Sequence, residues 1–299
     1  MSSLECAVGI MAHNEAANID RIVRRMLEQE LRTVSIREIV VVASGCTDGT
    51  EDIVRQWVER DDRVRLLVQA RREGKASGIN LFLGQTTLPL VVLSSADLLP
   101  ETTAVEALVA PFEDPEIGMT SCRPVPVNNP DTFQGFAAHL LWDLHHRINL
   151  ASFKAGEMTA FRKIFERIPH NTAVDEASVE PVVRGQGYQV RYVPDAVVYN
   201  KGPDTTEDFL RQRRRIYAGH LAVRDTLGYA VSTMSGMRVL WILLRNLDWR
   251  PRQFLWTWCV VVLEVYGRFL GWRDYRAKRD HSVWEVAKTT KDLRAKDDA

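Results

Sequence analysis

The chain has 299 residues, of which 45% are hydrophobic and 26% are charged, a composition typical of a folded globular protein rather than a disordered one. Its 39 Lys and Arg residues balance its 39 Asp and Glu residues, and this zero net charge argues against a nucleic-acid-binding protein. The four cysteines form no C-x-x-C pair, which excludes a zinc knuckle and favours a reducing compartment. No basic segment followed by an apolar one stands at the N-terminus, so the sequence predicts no secretory signal.

Strand-like and helix-like patterns alternate over the first 235 residues, which predicts an α/β fold with a mostly parallel sheet flanked by helices. The predicted strands are 6–11, 38–43, 63–69, 90–94, 117–122 and 189–199. The first predicted helix is capped by Asn14 and has apolar residues from Ile19 to Leu27, and the second bears Ile53, Val54, Trp57 and Val58. Two later helices are predicted at 133–150 and 206–227.

The composition changes near residue 235, which predicts a first domain at 1–235 and a second segment at 236–299. Residues 238–279 contain nine basic and three acidic side chains, and residues 241–284 contain six of the eight tryptophans. Two apolar stretches flank Pro251, a residue suited to the first turn of a helix, so the pattern predicts an amphipathic helical hairpin in which Glu264 pairs with Arg268.

The basic and tryptophan residues of this hairpin favour attachment to a membrane surface, peripheral or monotopic, at the cytoplasmic face. Two alternatives stay open at this point. The hairpin could pack on the first domain as part of a soluble protein, or residues 254–270 could cross the membrane.

Polar residues cluster after the first, second and fourth predicted strands, at His13, Ser44 and Ser95 among others. Because ligands of open α/β sheets bind outside the carboxyl ends of the strands, we expect one crevice there. The chain lacks both a G-x-G-x-x-G fingerprint and a Walker A loop, which argues against dinucleotide-dependent hydride transfer and P-loop chemistry.

Carboxylates and cations along the chain indicate a site that handles a diphosphate. Asp97 follows a buried strand, Asp175 and Glu176 form an acidic pair, and Lys75 and the run 211–215 supply positive charge. A carboxylate-bound divalent cation and an arginine stabilise a departing diphosphate, while a second carboxylate accepts the proton of an attacking hydroxyl.

Seven motifs occur in the order found in a known family. They are His13-Asn14-Glu15, the loop Ser44 to Thr50, Gly74-Lys75 with Asn80, Ser95-Ala96-Asp97, Gly156 with Ala160-Phe161-Arg162, Asp175-Glu176, and Gln212 to Arg215. In this order they resemble the family 2 glycosyltransferases, inverting enzymes of GT-A fold that use nucleotide sugars. The resemblance extends from residue 6 to residue 220 and implies a GT-A-type sheet.

The resemblance also implies residue roles. The donor-binding residues would be His13, Asn14, Glu15, Ser44, Asp48, Lys75, Ser95, Ala96, Gln212 and Arg215. Asp97 matches the last residue of the D-x-D motif and would bind Mn²⁺ or Mg²⁺, and the loop of Gly156, Glu157 and Met158 would approach the acceptor. The catalytic base would be Glu176 or Asp175, with Glu176 favoured by its spacing from Gly187.

Three residues depart from the family pattern: Ser44 replaces a base-recognising aspartate, Ser95 replaces the first aspartate of D-x-D, and Ile216 replaces the tryptophan of Q-x-x-R-W. The expected activity is transfer of a hexosyl or N-acetylhexosaminyl group, with a UDP-sugar as the favoured donor and a polysaccharide, glycolipid or lipid-linked acceptor. The departures favour the alternative of a catalytically inactive nucleotide-sugar-binding subunit of a membrane glycan-synthesis complex.

Overall fold

The computed structural model describes residues 3–169 and 175–279, with the backbone alone for residues 175–177. Its eight-stranded sheet consists of β1 (Leu4–Ala12), β2 (Val34–Ser44), β3 (Val64–Gln69), β4 (Leu90–Ser95), β5 (Leu99–Pro100), β6 (Ile117–Pro126), β7 (Thr159–Arg162) and β8 (Gln189–Asn200). The helices are α1 (Ile19–Leu27), α2 (Thr50–Val58), α3 (Lys75–Gln85), α4 (Ala104–Val109), α5 (Phe133–Asn149), α6 (Asp175–Gly185), α7 (Thr206–Leu227), α8 (Gly236–Arg245) and α9 (Pro251–Arg276).

The strand order β3-β2-β1-β4-β7-β6-β8-β5 determines which residues meet at one edge of the sheet. The neighbours β1, β2, β3 and β4 are parallel, and β6 is parallel to β8. The short strand β7 is antiparallel to both β4 and β6, so β4 and β6 run in the same direction. The carboxyl ends of β1, β2, β4 and β8 therefore lie along one edge, where a ligand of an open α/β sheet is expected.

Helices cover both faces of the sheet, which explains the continuous apolar runs in the central strands. Ile39 to Ala43 of β2 are all fully or almost fully buried. One face is covered by α1 and α4, with Ile22 and Leu108 in the core, and the other by α3 and α6, with Phe82 and Val183. This arrangement confirms the α/β prediction.

Most predicted elements are present, and the bounds of α7 agree with the prediction to the residue. The predicted role of Asn14 as a helix cap is wrong, because α1 begins only at Ile19 and Asn18 occupies its N-cap position. Asn14 has a left-handed backbone with φ of 53°, and its side-chain oxygen accepts a hydrogen bond from the backbone N–H of Thr47. Its polar side chain thus joins the loops after β1 and β2.

The two predicted C-terminal helices are present as α8 and α9, both of which contact α5, and Pro251 is the first residue of α9, as predicted. Glu264 accepts a hydrogen bond from Arg268 Nε at 2.9 Å, which confirms the predicted pair. The helix that α9 contacts most extensively is α7. The last part of the predicted C-terminal segment, residues 280–299, lies outside the described residues.

Two glycines allow α9 to approach α7 closely. A Cβ atom on Gly267 would lie 2.7 Å from the Cβ of Arg213, and one on Gly271 would lie 2.5 Å from the backbone oxygen of Arg214. Arg214 also donates two hydrogen bonds to the carboxylate of Asp274 in α9, from Nε to Oδ2 and from Nη2 to Oδ1, the second at 2.6 Å. The part of α9 that faces α7 from Gly267 to Asp274 therefore uses small and charged residues at its contacts.

We expect Gly271→Ala to destabilise the protein by about 1–3 kcal/mol, because the added methyl group must displace the backbone of α7. Urea unfolding of the purified protein measures this change. The matched control is Gly84→Ala in α3, where no atom lies within 4 Å of the new Cβ. That control should leave stability unchanged or raise it by up to about 1 kcal/mol. Equal stability of Gly271→Ala and the wild type would contradict the close approach of α7 and α9.

Candidate functional site

A cavity of about 1050 Å³ opens at the carboxyl edge of the sheet and extends toward the C-terminal helices. Its wall includes most of the residues predicted from the sequence: His13, Glu15, Ser44, Lys75, Ser95, Asp97, Gly156, Glu157, Gln212 and Arg215. These residues are separated by up to two hundred positions in the chain and come from six or more segments. The fold thus brings the predicted donor, metal and acceptor residues to one cavity.

Two predicted donor-binding residues, Asn14 and Asp48, do not line this cavity. Both carboxylate oxygens of Asp48 accept hydrogen bonds, Oδ2 from the backbone N–H of Ala16 at 2.9 Å and Oδ1 from that of Thr50 at 3.1 Å. Burial raises the pKa of Asp48, but these hydrogen bonds and one from the Thr50 hydroxyl outweigh it and hold the pKa below its usual value. Asn14 and Asp48 thus hold the loops after β1 and β2 together, and their contact with the donor stays a prediction.

Ala96 and Met158 also lie behind the cavity wall. The backbone N–H of Ala96 donates to the carbonyl of Met11 at 3.0 Å, which extends the β1–β4 pairing. Met158 is fully buried, and its backbone N–H donates to the Cys122 sulfur at 3.2 Å. Their neighbours Asp97 and Glu157 do line the cavity, and the predicted ligand contacts of Ala96 and Met158 stay predictions.

His13 is oriented by the backbone of the neighbouring strand. Its Nδ1 lies 2.6 Å from the carbonyl oxygen of Ser44, and because a carbonyl only accepts, Nδ1 carries the proton. Glu15, which is buried, accepts a hydrogen bond from Asn18 Nδ2 at 2.9 Å. Both side chains are thus held by the protein before any ligand enters.

Asp97 is the carboxylate best placed to hold a divalent cation. It lies just after β4, lines the cavity and has no hydrogen-bond or ion-pair partner among residues 3–169 and 175–279. In the same ranges no cluster of three or more His, Cys, Asp or Glu side chains could hold a metal without help. A single carboxylate is nevertheless a common protein contribution to Mg²⁺ sites, where substrate phosphates and water complete the coordination. Asp97 therefore fits a metal that binds together with a diphosphate.

The side chains of the two candidate bases, Asp175 and Glu176, lie outside the described residues. The backbone of both residues forms the first turn of α6, which packs against α7. Further along α6, burial raises the pKa of Glu180, although Lys154 in the cavity wall is near enough to oppose this shift. The helix that begins at Asp175 is thus a neighbour of the cavity.

Sequence reasoning missed Asn200 at the end of β8. This residue is buried, lines the cavity and donates from Nδ2 to Glu157 Oε1 at 3.4 Å. Its Oδ1 is buried and has no hydrogen-bond partner in the described part of the chain. The rule of strand carboxyl ends that indicated His13 and Ser95 would have found Asn200 as well.

A cluster of charged residues in the deeper part of the cavity was also missed, because its members come from three distant segments. Lys154 lies in the loop after α5, Arg213 on α7, and Glu264 and Arg268 on α9. Glu264 Oε2 is 3.7 Å from Arg213 Nη1, and Glu264 Oε1 is 2.9 Å from Arg268 Nε. Burial opposes ionisation of Glu264, but Arg213 and Arg268 hold its pKa below the usual value. Glu264 is therefore a carboxylate shared by two arginines.

Comparison with known proteins identifies the family. Residues 7–182 match the description Glycosyl transferase family 2, and residues 183–276 match Glycosyl transferase family group 2. The chain belongs to glycosyl transferase family 2.

Curated relatives of this family 2 chain include a probable glycosyltransferase, YdaM, of Bacillus subtilis, which is 24% identical over 72% of the chain. A poly-beta-1,6-N-acetyl-D-glucosamine synthase of Staphylococcus aureus is 23% identical over 85% of the chain. The alignments cover 54% and 62% of these two relatives, so the family 2 chain spans little more than half of their length.

Solved structures similar to this family 2 chain support the GT-A fold. A mannosyltransferase from Pyrobaculum calidifontis, in complex with GDP-Man and Mn²⁺, superimposes with a TM-score of 0.60 at 23% identity, covering 93% of this chain and 83% of that one. Glucosyl-3-phosphoglycerate synthase from Mycobacterium tuberculosis, in complex with Mn²⁺ and UDP, has a TM-score of 0.52 at 18% identity, covering 76% and 81%. The predicted GT-A-type fold is thus confirmed.

Proposed function

We propose that the protein is an inverting glycosyltransferase that moves a sugar from a nucleotide-diphosphate donor to a hydroxyl acceptor. The observation that carries this proposal is the single cavity in which Asp97, Lys75, Gln212 and Arg215 meet the acceptor loop at Glu157. A carboxylate that has no partner in the described part of the chain and shares a cavity with several cations suits a ligand that brings both a diphosphate and a metal.

The reaction is a single displacement at the anomeric carbon. The acceptor oxygen forms a bond to this carbon, the bond from the carbon to the diphosphate oxygen breaks, and the nucleoside diphosphate leaves. The acceptor proton passes to a carboxylate, for which we propose Glu176, with Asp175 as the alternative. Because the nucleophile attacks opposite the leaving group, the product has the inverted configuration.

The chain's own residues bind and orient the donor in this proposal. Lys75 and Arg215 would neutralise the charge that develops on the diphosphate, and Gln212 would donate a hydrogen bond to it. Asp97 would hold Mn²⁺ or Mg²⁺, which when bound supplies Lewis-acid stabilisation of the leaving group.

The donor we propose is a UDP-sugar that carries a hexosyl or N-acetylhexosaminyl group. The similarity to a poly-N-acetylglucosamine synthase and to a glycosyltransferase fold solved with UDP supports this choice. The test is an assay with UDP-N-acetylglucosamine or UDP-glucose as the donor and membrane extract as the acceptor source, in which the amount of glycosylated product is measured. The α-linked donors should yield β-linked product by NMR, and retention of the α configuration would contradict the single displacement.

We further propose that the C-terminal helices lie on a membrane surface at the cytoplasmic face. Ten of the thirteen large apolar side chains that are exposed in the described residues fall between Met237 and Trp272. Arginine guanidinium groups lie over tryptophan rings in this region. The Cζ atom of Arg245 is 3.7 Å from the ring centroid of Trp241, and that of Arg252 is 4.8 Å from the ring centroid of Trp256. This combination of aromatic rings and cations suits the headgroup layer of an anionic bilayer.

Helix α9 is long and apolar enough to cross a membrane by length and composition. Its inward face, however, carries Glu264, Arg268 and Asp274 and contacts the arginines of α7. Lipid cannot surround a helix on the side that another helix occupies, and these charges would be costly in hydrocarbon. We therefore propose a monotopic arrangement, in which the outward face of α9 contacts lipid and the inward face contacts the catalytic domain.

We expect the triple variant Leu255→Ser, Val262→Ser, Phe269→Ser to lose most of its binding to vesicles that contain anionic phospholipid. These three side chains are 49–66% exposed, so the changes should leave folding intact. Co-sedimentation with vesicles measures the effect, and Val58→Ser, an exposed apolar residue on α2, is the control. Unchanged sedimentation of the triple variant would contradict the monotopic proposal.

A further inference from the structure

The cavity continues beyond the donor-binding edge into a space between α5, α7, α8 and α9. The wall of this inner half is largely aliphatic, and its members include Leu141, Leu144, Leu240, Leu243, Val260 and Val261. The outward apolar face described above belongs to the same two helices, because Trp241 of α8 and Val262 of α9 are exposed whereas Leu243 and Val261 line the cavity. The inner half is thus an apolar groove beside the surface that we propose to contact lipid.

Three cations of the cavity wall, Lys154, Arg213 and Arg268, cluster around Glu264 of α9, one turn from Val261 in the groove. Glu264 is shared by the two arginines, and the next carboxylate that acts on Lys154 is Glu157. Arg213 Nε is buried and has no hydrogen-bond partner in the described ranges. Because a buried N–H without a partner is costly, this donor points to a ligand that accepts hydrogen bonds.

Burial and the nearby positive charges lower the pKa values of Lys154, His145 and His220. Burial lowers the pKa of Lys154 to about 8, and Arg213 and Arg268 lower it as well, while Glu264 and Glu157 oppose them. Burial also lowers the pKa of His145 to about 3, with Lys154 and Arg213 adding to the effect, and it lowers that of His220 in the same way. Both histidines are therefore neutral, and a bound anion would relieve the repulsion among the cations.

From this arrangement we infer that the inner half of the cavity binds a lipid phosphate whose phosphate-linked head group carries the acceptor hydroxyl. Its phosphate lies among Lys154, Arg213 and Arg268, and its hydrocarbon chain lies in the groove between α5, α8 and α9. An anionic head matches the cation cluster, and an apolar chain matches the aliphatic wall.

This inference rests on the proposed function, because the donor would occupy the other half of the same cavity. A phosphate in the inner half lies between the donor edge and the proposed lipid face, which is where a membrane-borne acceptor must meet a soluble donor. A bilayer phospholipid bound only for anchoring would need no connection to the donor edge. The continuity of the cavity therefore favours an acceptor lipid over an anchoring one.

The first test compares the affinities of four probes by isothermal titration calorimetry with the full chain in detergent: farnesyl phosphate, farnesol, inorganic phosphate and lysophosphatidic acid. We expect farnesyl phosphate to bind at least tenfold more tightly than each of the other three. Equal binding of farnesol would overturn the phosphate site, and equal binding of inorganic phosphate would overturn the groove. Equal binding of lysophosphatidic acid would assign the site to a bilayer phospholipid and overturn its role as an acceptor site.

The second test uses variants with matched controls. Lys154→Gln should weaken farnesyl phosphate about ten- to a hundredfold, the loss typical of a charged hydrogen-bond partner, whereas Lys163→Gln outside the cavity should not. Val261→Trp should block the groove, whereas Val262→Trp, on the adjacent outward-facing position, should not. Similar affinities within either pair would overturn the inference.

Nucleoside diphosphate binding to the same samples separates this inference from the proposed function. UDP binding without farnesyl phosphate binding would overturn the lipid site but would not contradict the glycosyltransferase proposal. If neither ligand binds, both proposals fail.

Discussion

Asp97→Asn should reduce sugar transfer about 10²- to 10³-fold while the protein remains folded. The substitution keeps the size of the side chain but removes the negative charge, and a neutral amide is a much weaker ligand for a divalent cation. In other enzymes, removal of one group that stabilises developing negative charge in the transition state lowers kcat by about 10²- to 10³-fold. Because Asp97 has no hydrogen-bond or ion-pair partner in the described residues, the change should break no interaction of the fold.

Initial rates at saturating donor, together with thermal unfolding, measure this effect. The control is Asp62→Asn, an exposed aspartate before β3 that lies away from the cavity. A higher concentration of Mn²⁺ should partly restore the rate of Asp97→Asn if its defect is metal affinity. Wild-type activity of Asp97→Asn would remove the proposed metal ligand and with it the assignment of the donor site.

Glu176→Gln should reduce kcat about 10²- to 10⁴-fold and leave nucleoside diphosphate affinity unchanged. A glutamine cannot accept the proton of the acceptor hydroxyl, and the loss of a general base typically costs this much. Donor binding depends on other residues of the cavity, so the defect should appear in kcat rather than in the donor KM.

The neighbouring acidic residue supplies the matched variant for this experiment. Asp175→Asn should cost less than tenfold in kcat if Glu176 is the base. A reversal of the two effects would assign the base to Asp175. Normal kcat in both variants would contradict the mechanism and favour the alternative of a nucleotide-sugar-binding subunit.

The sequence predicted the strands and the ligand-binding edge because parallel strands covered on both faces require continuous apolar runs, and such runs end abruptly in polar residues. The run Ile39 to Ala43 is buried, and Ser44 after it lines the cavity. The strands β5 and β7, in contrast, have two and four residues, too few for a periodic pattern. Their formation depends on pairing with distant strands, which no local signal records.

The roles of single polar residues were harder to predict than their location. Asp48 and Ser44 lie in the same loop, yet the carboxylate of Asp48 turns inward to hold backbone N–H groups while Ser44 lines the cavity. The cation cluster was missed for a different reason. Lys154, Arg213 and Arg268 are more than fifty residues apart, and only the contact between α7 and α9 brings the two arginines together.

The most direct test of the central claim is release of nucleoside diphosphate from UDP-, GDP- and dTDP-sugars by detergent-solubilised protein. Each donor is assayed with Mn²⁺ or Mg²⁺, with EDTA, and with membrane extract as the acceptor source, alongside Asp97→Asn. We expect release from a UDP-sugar that requires the metal, increases with the extract and is lost in the variant. Absence of release from every donor, although a nucleoside diphosphate binds, would contradict the assignment of an active transferase.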